Sequence, residues 1–168
     1  MGIQYRVHCQ KCSYEKNIDF GFGFLYPDLY RKTIQKMRNG SLGTEAQEFI
    51  LQYPYGGVDC EYAALRCEQC KHLDSDLDLS MYIPKGNYVS EEKKENGRYT
   101  QAMLDPKEDY KMPRELQEHF ELFRKYNHRC KICHGRMQIM KEPQFLQEEV
   151  TCPECGSKLE RVPSMDWD

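Results

Sequence analysis

The sequence has no long apolar run and no apolar segment near its N-terminus. The first ten residues, Met1 to Gln10, lack the hydrophobic centre of a secretory signal. No stretch approaches the roughly 20 apolar residues that a membrane-spanning helix needs. We therefore expect a cytoplasmic protein with no membrane partner. In a reducing compartment, paired cysteines serve as metal ligands or redox groups rather than as disulfides.

The sequence also lacks a strong charge of either sign. Its formal net charge is −3 at pH 7, whereas most dedicated nucleic-acid-binding domains are strongly basic. A metal ion held by four thiolates would lower that charge by 2 per site, because the cysteines must be deprotonated. This balance leaves only local basic patches as candidates for nucleic-acid contact.

What the sequence does have is cysteine: nine residues, eight of them in Cys-x-x-Cys pairs. The third and fourth pairs stand 18 residues apart, within the spacing typical of a four-cysteine zinc site. Two residues between cysteines allow a tight turn, here called a knuckle, to direct both sulfurs at one ion about 2.3 Å away. The four knuckles are Cys9–Cys12, Cys67–Cys70, Cys130–Cys133 and Cys152–Cys155.

The first and second knuckles are separated by 54 residues, more than the usual spacing. A long insertion adds little loop-closure entropy, because that cost grows only logarithmically with length. We therefore predict two Zn²⁺ ions, each held by four cysteines. Sequential pairing, first knuckle with second and third with fourth, is the simplest arrangement, and nested or interleaved pairings are also compatible with the sequence.

These four knuckles resemble those of the zinc-ribbon superfamily, and the resemblance covers perhaps half of the chain. It implies a β fold organised around structural zinc and says little about activity. The first half, with its segment Gly21 to Pro27, also resembles small uncharacterised bacterial zinc-ribbon proteins. The fourth knuckle with Gly156 resembles a rubredoxin knuckle, from which the third departs because His134 precedes its glycine.

Periodicity predicts a small α+β protein, and the resemblance implies that its β units are two zinc ribbons. Residues 1–84 would form a split ribbon with an inserted helical hairpin, at about 27–38 and 45–52, the second helix starting with a capping box at Thr44. Residues 85–112, which are polar and charged, would be a linker that includes a short helical turn at 105–108. Residues 113–168 would form an amphipathic helix, 113–127, followed by a ribbon with strands at 135–140, 145–150 and 157–162.

A basic stretch at 124–141 carries six cations and no acid. These residues are candidate contacts to nucleic acid, although they could equally offset the charge of the thiolates. They are Arg124, Lys125, Arg129, Lys131, Arg136 and Lys141.

The closed four-cysteine site predicts a non-enzymatic function, because such a site keeps no open metal position to activate water. We expect an adaptor or regulatory module with a protein partner. The alternative is a nucleic-acid-binding protein, and the third possibility is redox chemistry at an iron site or at Cys60. His8, His72, His128 and His134 flank the knuckles and are expected to be neighbours of the ligands rather than ligands.

Overall fold

The structure is a computed structural model that describes residues 2–86, 88 and 110–167, with the backbone alone at Trp167. The chain forms two compact units, each assembled from separate stretches. The cysteine unit comprises Met1–Phe24, Glu61–Asp78 and Asn127–Asp168, and the helical unit comprises Leu25–Cys60 and Leu79–Tyr126. The predicted domains, 1–84 and 113–168, are consecutive ranges instead, and most of their linker, including the turn at 105–108, lies outside the described residues.

Nine strands and four helices are described along the chain. In order they are β1 (Gly2–Cys9), β2 (Glu15–Gly21), α1 (Tyr26–Arg38), α2 (Thr44–Gln52), β3 (Gly57–Val58), β4 (Tyr62–Cys67), β5 (Leu73–Leu77), β6 (Met81–Pro84), α3 (Pro113–His119), β7 (Phe120–Arg124), β8 (Met137–Met140), α4 (Glu142–Gln147) and β9 (Leu159–Trp167). The fold is therefore small and α+β, as predicted, with antiparallel strand pairing.

The cysteine unit is built on one six-stranded sheet. Its order is β5-β4-β2-β1-β9, and β8 pairs with β4 beside this path. Helix α4 covers the sheet with Phe145, which is fully buried and lies 5.1 Å, ring to ring, from Phe20 and 6.2 Å from Tyr5. Arg161 of β9 stacks over Phe145 at 4.9 Å and donates to the carbonyl oxygen of Leu146 at 2.8 Å. These contacts connect α4 to β1, β2 and the edge strand β9.

The helical unit contains the packed helices α1 and α2 and the short sheet β3-β6-β7. Helix α1 buries Tyr26, Tyr30, Thr33 and Met37, which recur on one face at helical spacing. The Tyr26 hydroxyl donates to the carbonyl of Lys111 at 2.9 Å. Within the segment Gly21 to Pro27, Tyr26 is buried while the side chains of Phe24 and Leu25 are exposed.

The predicted helix 113–127 is wrong beyond its first two turns. Helix α3 ends at His119, and Phe120–Arg124 is strand β7, paired antiparallel with β6. Phe120, Leu122 and Phe123 fit either period over so short a run, and both phenylalanines favour strands. Pairing with β6, which lies far away in the sequence, decides the outcome here.

The predicted strand 145–150 is also wrong, because residues 142–147 form helix α4. Pro143 occupies the first turn, where its missing N–H costs nothing, and Glu142 beside it favours the positive end of the helix dipole. The capping box at Thr44 is not formed either: Gly43 precedes the helix, and Gln47 donates to the Arg38 carbonyl at 2.8 Å.

Candidate metal centres

Eight of the nine cysteines lie in two groups of four, in which all sulfurs are within 4.8 Å of one another. Site A consists of Cys9, Cys12, Cys152 and Cys155, and site B of Cys67, Cys70, Cys130 and Cys133. Both belong to the cysteine unit.

The predicted sequential pairing of the knuckles is therefore wrong. The first knuckle faces the fourth and the second faces the third, so the arrangement is nested. The spacing of 18 residues between the third and fourth knuckles matches a zinc site, yet these two knuckles do not share one. Strand pairing decides the partners, because β9 after the fourth knuckle pairs with β1 before the first, and β8 after the third pairs with β4 before the second.

Each knuckle closes with the same backbone hydrogen bond. The N–H of its first cysteine donates to the carbonyl oxygen five residues later, at 3.0 Å for Cys9, 2.9 Å for Cys67, 2.9 Å for Cys130 and 2.7 Å for Cys152. Backbone N–H groups also point at the sulfurs: Lys11 donates to Cys9 Sγ and Ile132 to Cys130 Sγ, both at 3.4 Å. Such donors stabilise thiolate over thiol.

Sites A and B are equivalent in strand register. Cys9 pairs with Leu159, seven residues after Cys152. Cys67 pairs with Met137, seven residues after Cys130. Each site is thus a hairpin carrying one knuckle, flanked by a strand that follows a second knuckle. The equivalence lets each residue around one site be compared with a residue around the other.

The residue after the second cysteine adopts a left-handed conformation at three of the four knuckles. The φ angles are +61° at Lys71, +59° at His134 and +75° at Gly156. Only glycine adopts this region without steric cost. At the third knuckle this residue is His134, whose position before Gly135 looked like a departure from a rubredoxin knuckle in the sequence.

At Gly135, close packing rather than a positive φ angle favours glycine. A Cβ atom built on it would lie 2.8 Å from Gln69 Oε1, so the third knuckle lies directly against the second. Such a contact between distant residues leaves no signal in a single sequence.

The sulfur separations fit a bound ion better than a disulfide. Cys9 and Cys155 lie 3.4 Å apart, and Cys70 and Cys130 lie 3.6 Å apart. A disulfide would need about 2.05 Å, whereas a tetrahedron of sulfurs about 2.3 Å from a central ion has edges of about 3.8 Å. The observed distances are slightly shorter than those edges and far from a covalent bond.

The pKa values of the cysteines differ from one another at both sites. Burial opposes ionisation of Cys67, but hydrogen bonds from the Cys70 backbone and the Cys133 thiol lower its pKa to about 6. The backbone N–H of His72 favours the thiolate of Cys70, yet burial and the three neighbouring thiols raise its pKa to about 12. In site A, the pKa of Cys155 is lowered to about 6, chiefly by hydrogen bonds from Ser157.

Four sulfurs at these distances cannot all ionise alone, because each new thiolate repels the others. A doubly charged cation removes that penalty and brings all four into the thiolate form. Both donor sets therefore fit a divalent ion with a preference for sulfur, which could be zinc or iron.

None of the four flanking histidines belongs to either group of potential ligands in the described chain. His8 Nε2 lies 3.1 Å from Glu160, and His128 Nε2 lies 2.9 Å from the carbonyl oxygen of Asp78.

Cys60 is buried in the helical unit and joins neither site.

Three of the six cations in the predicted basic stretch form ion pairs with carboxylates. Arg124 lies 3.4 Å from Glu45, Lys131 lies 2.8 Å from Asp74, and Lys141 lies 3.0 Å from Asp78. Arg124 and Lys125 belong to the helical unit, and the other four belong to the cysteine unit. The stretch is therefore not a single continuous surface within either unit.

Asp74 connects the surroundings of the two sites. Its carboxylate binds Lys16, which follows the first knuckle, at 3.1 Å, and Lys131 of the third knuckle at 2.8 Å. Partial burial opposes its ionisation, but the two ammonium groups lower the pKa of Asp74 below its ordinary value. The carboxylate therefore stays charged at neutral pH and holds β2, β5 and the third knuckle together.

Fold and site together define a small α+β protein with two four-cysteine groups that could each hold a metal ion. Comparison with models of protein families, with curated proteins and with solved structures found no match. Within the described residues, no helix is both long enough and apolar enough to span a membrane.

Proposed function

We propose that each site holds one structural Zn²⁺ ion and that the protein is a cytoplasmic, non-catalytic interaction module. The observation that carries this proposal is the closure of both sites by four cysteine sulfurs. A zinc ion with four protein ligands keeps no position for water or substrate, so it supplies folding free energy rather than catalysis.

The build of the cysteine unit supports a structural role for the metal. The first cysteine of every knuckle is buried, whereas the second is partly exposed in three knuckles and exposed at Cys155 of site A. Binding of zinc to four cysteines contributes roughly 10–16 kcal/mol in small zinc-dependent domains. An energy of that size would hold the facing knuckles of each site together; around site B the buried cluster consists of Leu65, Met137 and two of the cysteines.

The interaction role has its own support in the helical unit. Strand β7 forms one edge of the three-stranded sheet described there. Its Leu122 and Phe123 are 48% and 38% exposed. Apolar side chains on an edge strand are a common feature of protein-docking surfaces.

Metal analysis and chelation test the proposal together. We expect about two zinc ions per purified chain and a colourless protein, and removal of both ions should abolish the cooperative thermal transition. Restoring Zn²⁺ should restore that transition. A visible absorption band from iron–thiolate bonds would instead favour the redox alternative, and a metal-free chain that unfolds at the same temperature would refute a structural role.

A further inference from the structure

The two sites match in register but differ in charge. Residues 66–72 and 129–136 around site B carry a formal net charge of +4, counting cysteine and histidine as neutral, and residues 8–14 and 151–158 around site A carry +1. A tetrathiolate zinc ion lowers each value by 2, which leaves site B positive and site A negative. The two knuckle pairs thus carry formal charges of opposite sign, and the ion pair of Lys131 with Asp74 leaves site B positive.

The clearest difference lies at the base of the third and fourth knuckles, which follow β7 and α4. In site B an isolated antiparallel bridge sets Arg129 opposite Arg136, and both side chains are exposed. In site A the equivalent bridge sets Thr151 opposite Lys158. Lys158 lies 3.6 Å from Glu149, whereas neither arginine has an ion pair with any residue that the structure describes.

Two like charges directly opposite each other destabilise a strand pair. The fold nevertheless places two guanidinium groups there, and an anion bound between them would remove the repulsion. Guanidinium groups donate bidentate hydrogen bonds that fit phosphate oxygens well. The arginine pair is therefore suited to a phosphodiester group.

The remaining positions around site B extend this surface. Lys71, on the facing knuckle, donates to the backbone carbonyl oxygen of Glu68 at 2.7 Å, a neutral acceptor that does not offset its positive charge. Ile132 is 67% exposed. Its equivalent in site A is Glu154, which would repel a polyanion, so apolar and cationic groups occur together at site B alone.

We propose that the surface of site B formed by Lys71, Arg129, Ile132 and Arg136 binds single-stranded nucleic acid. A run of acidic residues alone would engage the cations but carries no apolar group to cover the isoleucine. A nucleotide strand brings both a charged backbone and the apolar faces of unpaired bases. This inference rests on the proposed function to the extent that the metal at site B holds the two knuckles in place.

The test measures fluorescence anisotropy of labelled oligonucleotides of about 20 nucleotides, single-stranded DNA and RNA, with the zinc-loaded full chain at low salt. We expect Arg129→Glu combined with Arg136→Glu to weaken binding at least about tenfold and to lower the slope of log K against log salt by about 1.4, for two lost phosphate contacts. The matched control is Lys11→Glu combined with Lys158→Glu at site A, which makes the same change in charge and should weaken binding less than about threefold.

Arg129→Lys combined with Arg136→Lys should weaken binding less than the double glutamate change and leave the salt slope nearly unchanged, because the charge is kept while the bidentate hydrogen bonds are lost. Metal content is measured on every variant, so that loss of zinc, which would concern the proposed function, is distinguished from loss of nucleic-acid binding. No binding at low salt, or equal weakening by the site A control, would overturn the inference. Equal competition by polyglutamate would overturn it in favour of an acidic protein partner.

Discussion

A single left-handed residue closes three of the four knuckles, and its side chain differs at each. Gly156 is free of the steric cost, whereas Lys71 and His134 bear it. At His134 the backbone N–H donates to the Cys130 carbonyl at 2.9 Å, which fixes the chain in this conformation. At the equivalent position of the fourth knuckle, the N–H of Gly156 donates to the Cys152 carbonyl at the same distance.

We expect His134→Gly to stabilise the zinc-loaded protein by about 0.5–1 kcal/mol, because glycine removes the strain of a positive φ and this gain exceeds its added unfolded-state entropy. The reciprocal change, Gly156→Ala, should cost about 1 kcal/mol; a Cβ there meets no atom within 4 Å, so the effect is purely a backbone one. Urea denaturation at fixed zinc concentration measures both. Destabilisation by His134→Gly would show that its imidazole contributes a contact worth more than the strain.

The sequence makes only part of this chemistry predictable. The Cys-x-x-Cys spacing predicts each knuckle, because the turn geometry is local. The nested partnership of Cys9 with Cys152, and of Cys67 with Cys130, depends on which strands pair, and a single sequence carries no record of that choice. The contrast between Arg129 at site B and the uncharged Thr151 at site A is likewise visible in the sequence, but its meaning depends on the equivalence of the two sites.

Among the helices and strands, the periodicity of apolar residues predicts secondary structure well in long segments and cannot separate helix from strand in short ones. Helix α1 has 13 residues and a clear apolar face, and its predicted bounds differ from the observed ones by one residue. Residues 120–124 and 142–147 are too short for periodicity to separate helix from strand. Their states are set by partners distant in sequence, β6 for the first and the core around Phe20 for the second.

The junction between α3 and β3 offers a test of such distant packing. A Cβ atom at Gly57 would lie 2.4 Å from Leu116 Cδ2, so the helix rests directly on the strand backbone. We expect Gly57→Ala to cost about 1–3 kcal/mol through overpacking. Leu116→Ala alone should cost about 2–5 kcal/mol through the cavity it leaves.

Combining the two changes should show favourable coupling of at least about 0.5 kcal/mol, because the added methyl group partly fills the space that leucine vacates. The cycle is measured by urea denaturation of the four proteins. Strict additivity would mean that α3 and β3 do not make this contact in solution.

Across the whole cysteine unit, the nested arrangement ties distant parts of the chain together. Site A joins residues near the N-terminus, through Cys9 and Cys12, to the fourth knuckle, while site B joins the middle of the chain to the third. Asp74 then links the surroundings of both sites through Lys16 and Lys131. A change at either end of the described chain is therefore expected to act on the same metal.

Paired substitutions of ligands distinguish this arrangement from the sequential one by metal stoichiometry alone. A site left with three or fewer thiolates binds zinc far more weakly than a complete one. In the nested arrangement, Cys12→Ser combined with Cys155→Ser damages only site A, so the chain should retain about one zinc ion. Cys12→Ser combined with Cys70→Ser damages both sites and should leave almost none.

Sequential pairing predicts the reverse result for these two proteins, which carry the same number of substitutions and serve as controls for each other. Zinc is counted by mass spectrometry of the desalted proteins. Retention of one ion by the Cys12/Cys70 protein, with loss of both by the Cys12/Cys155 protein, would contradict the nested fold. The opposite pattern would establish that the sheet, rather than the spacing along the chain, selects the partners of each metal site.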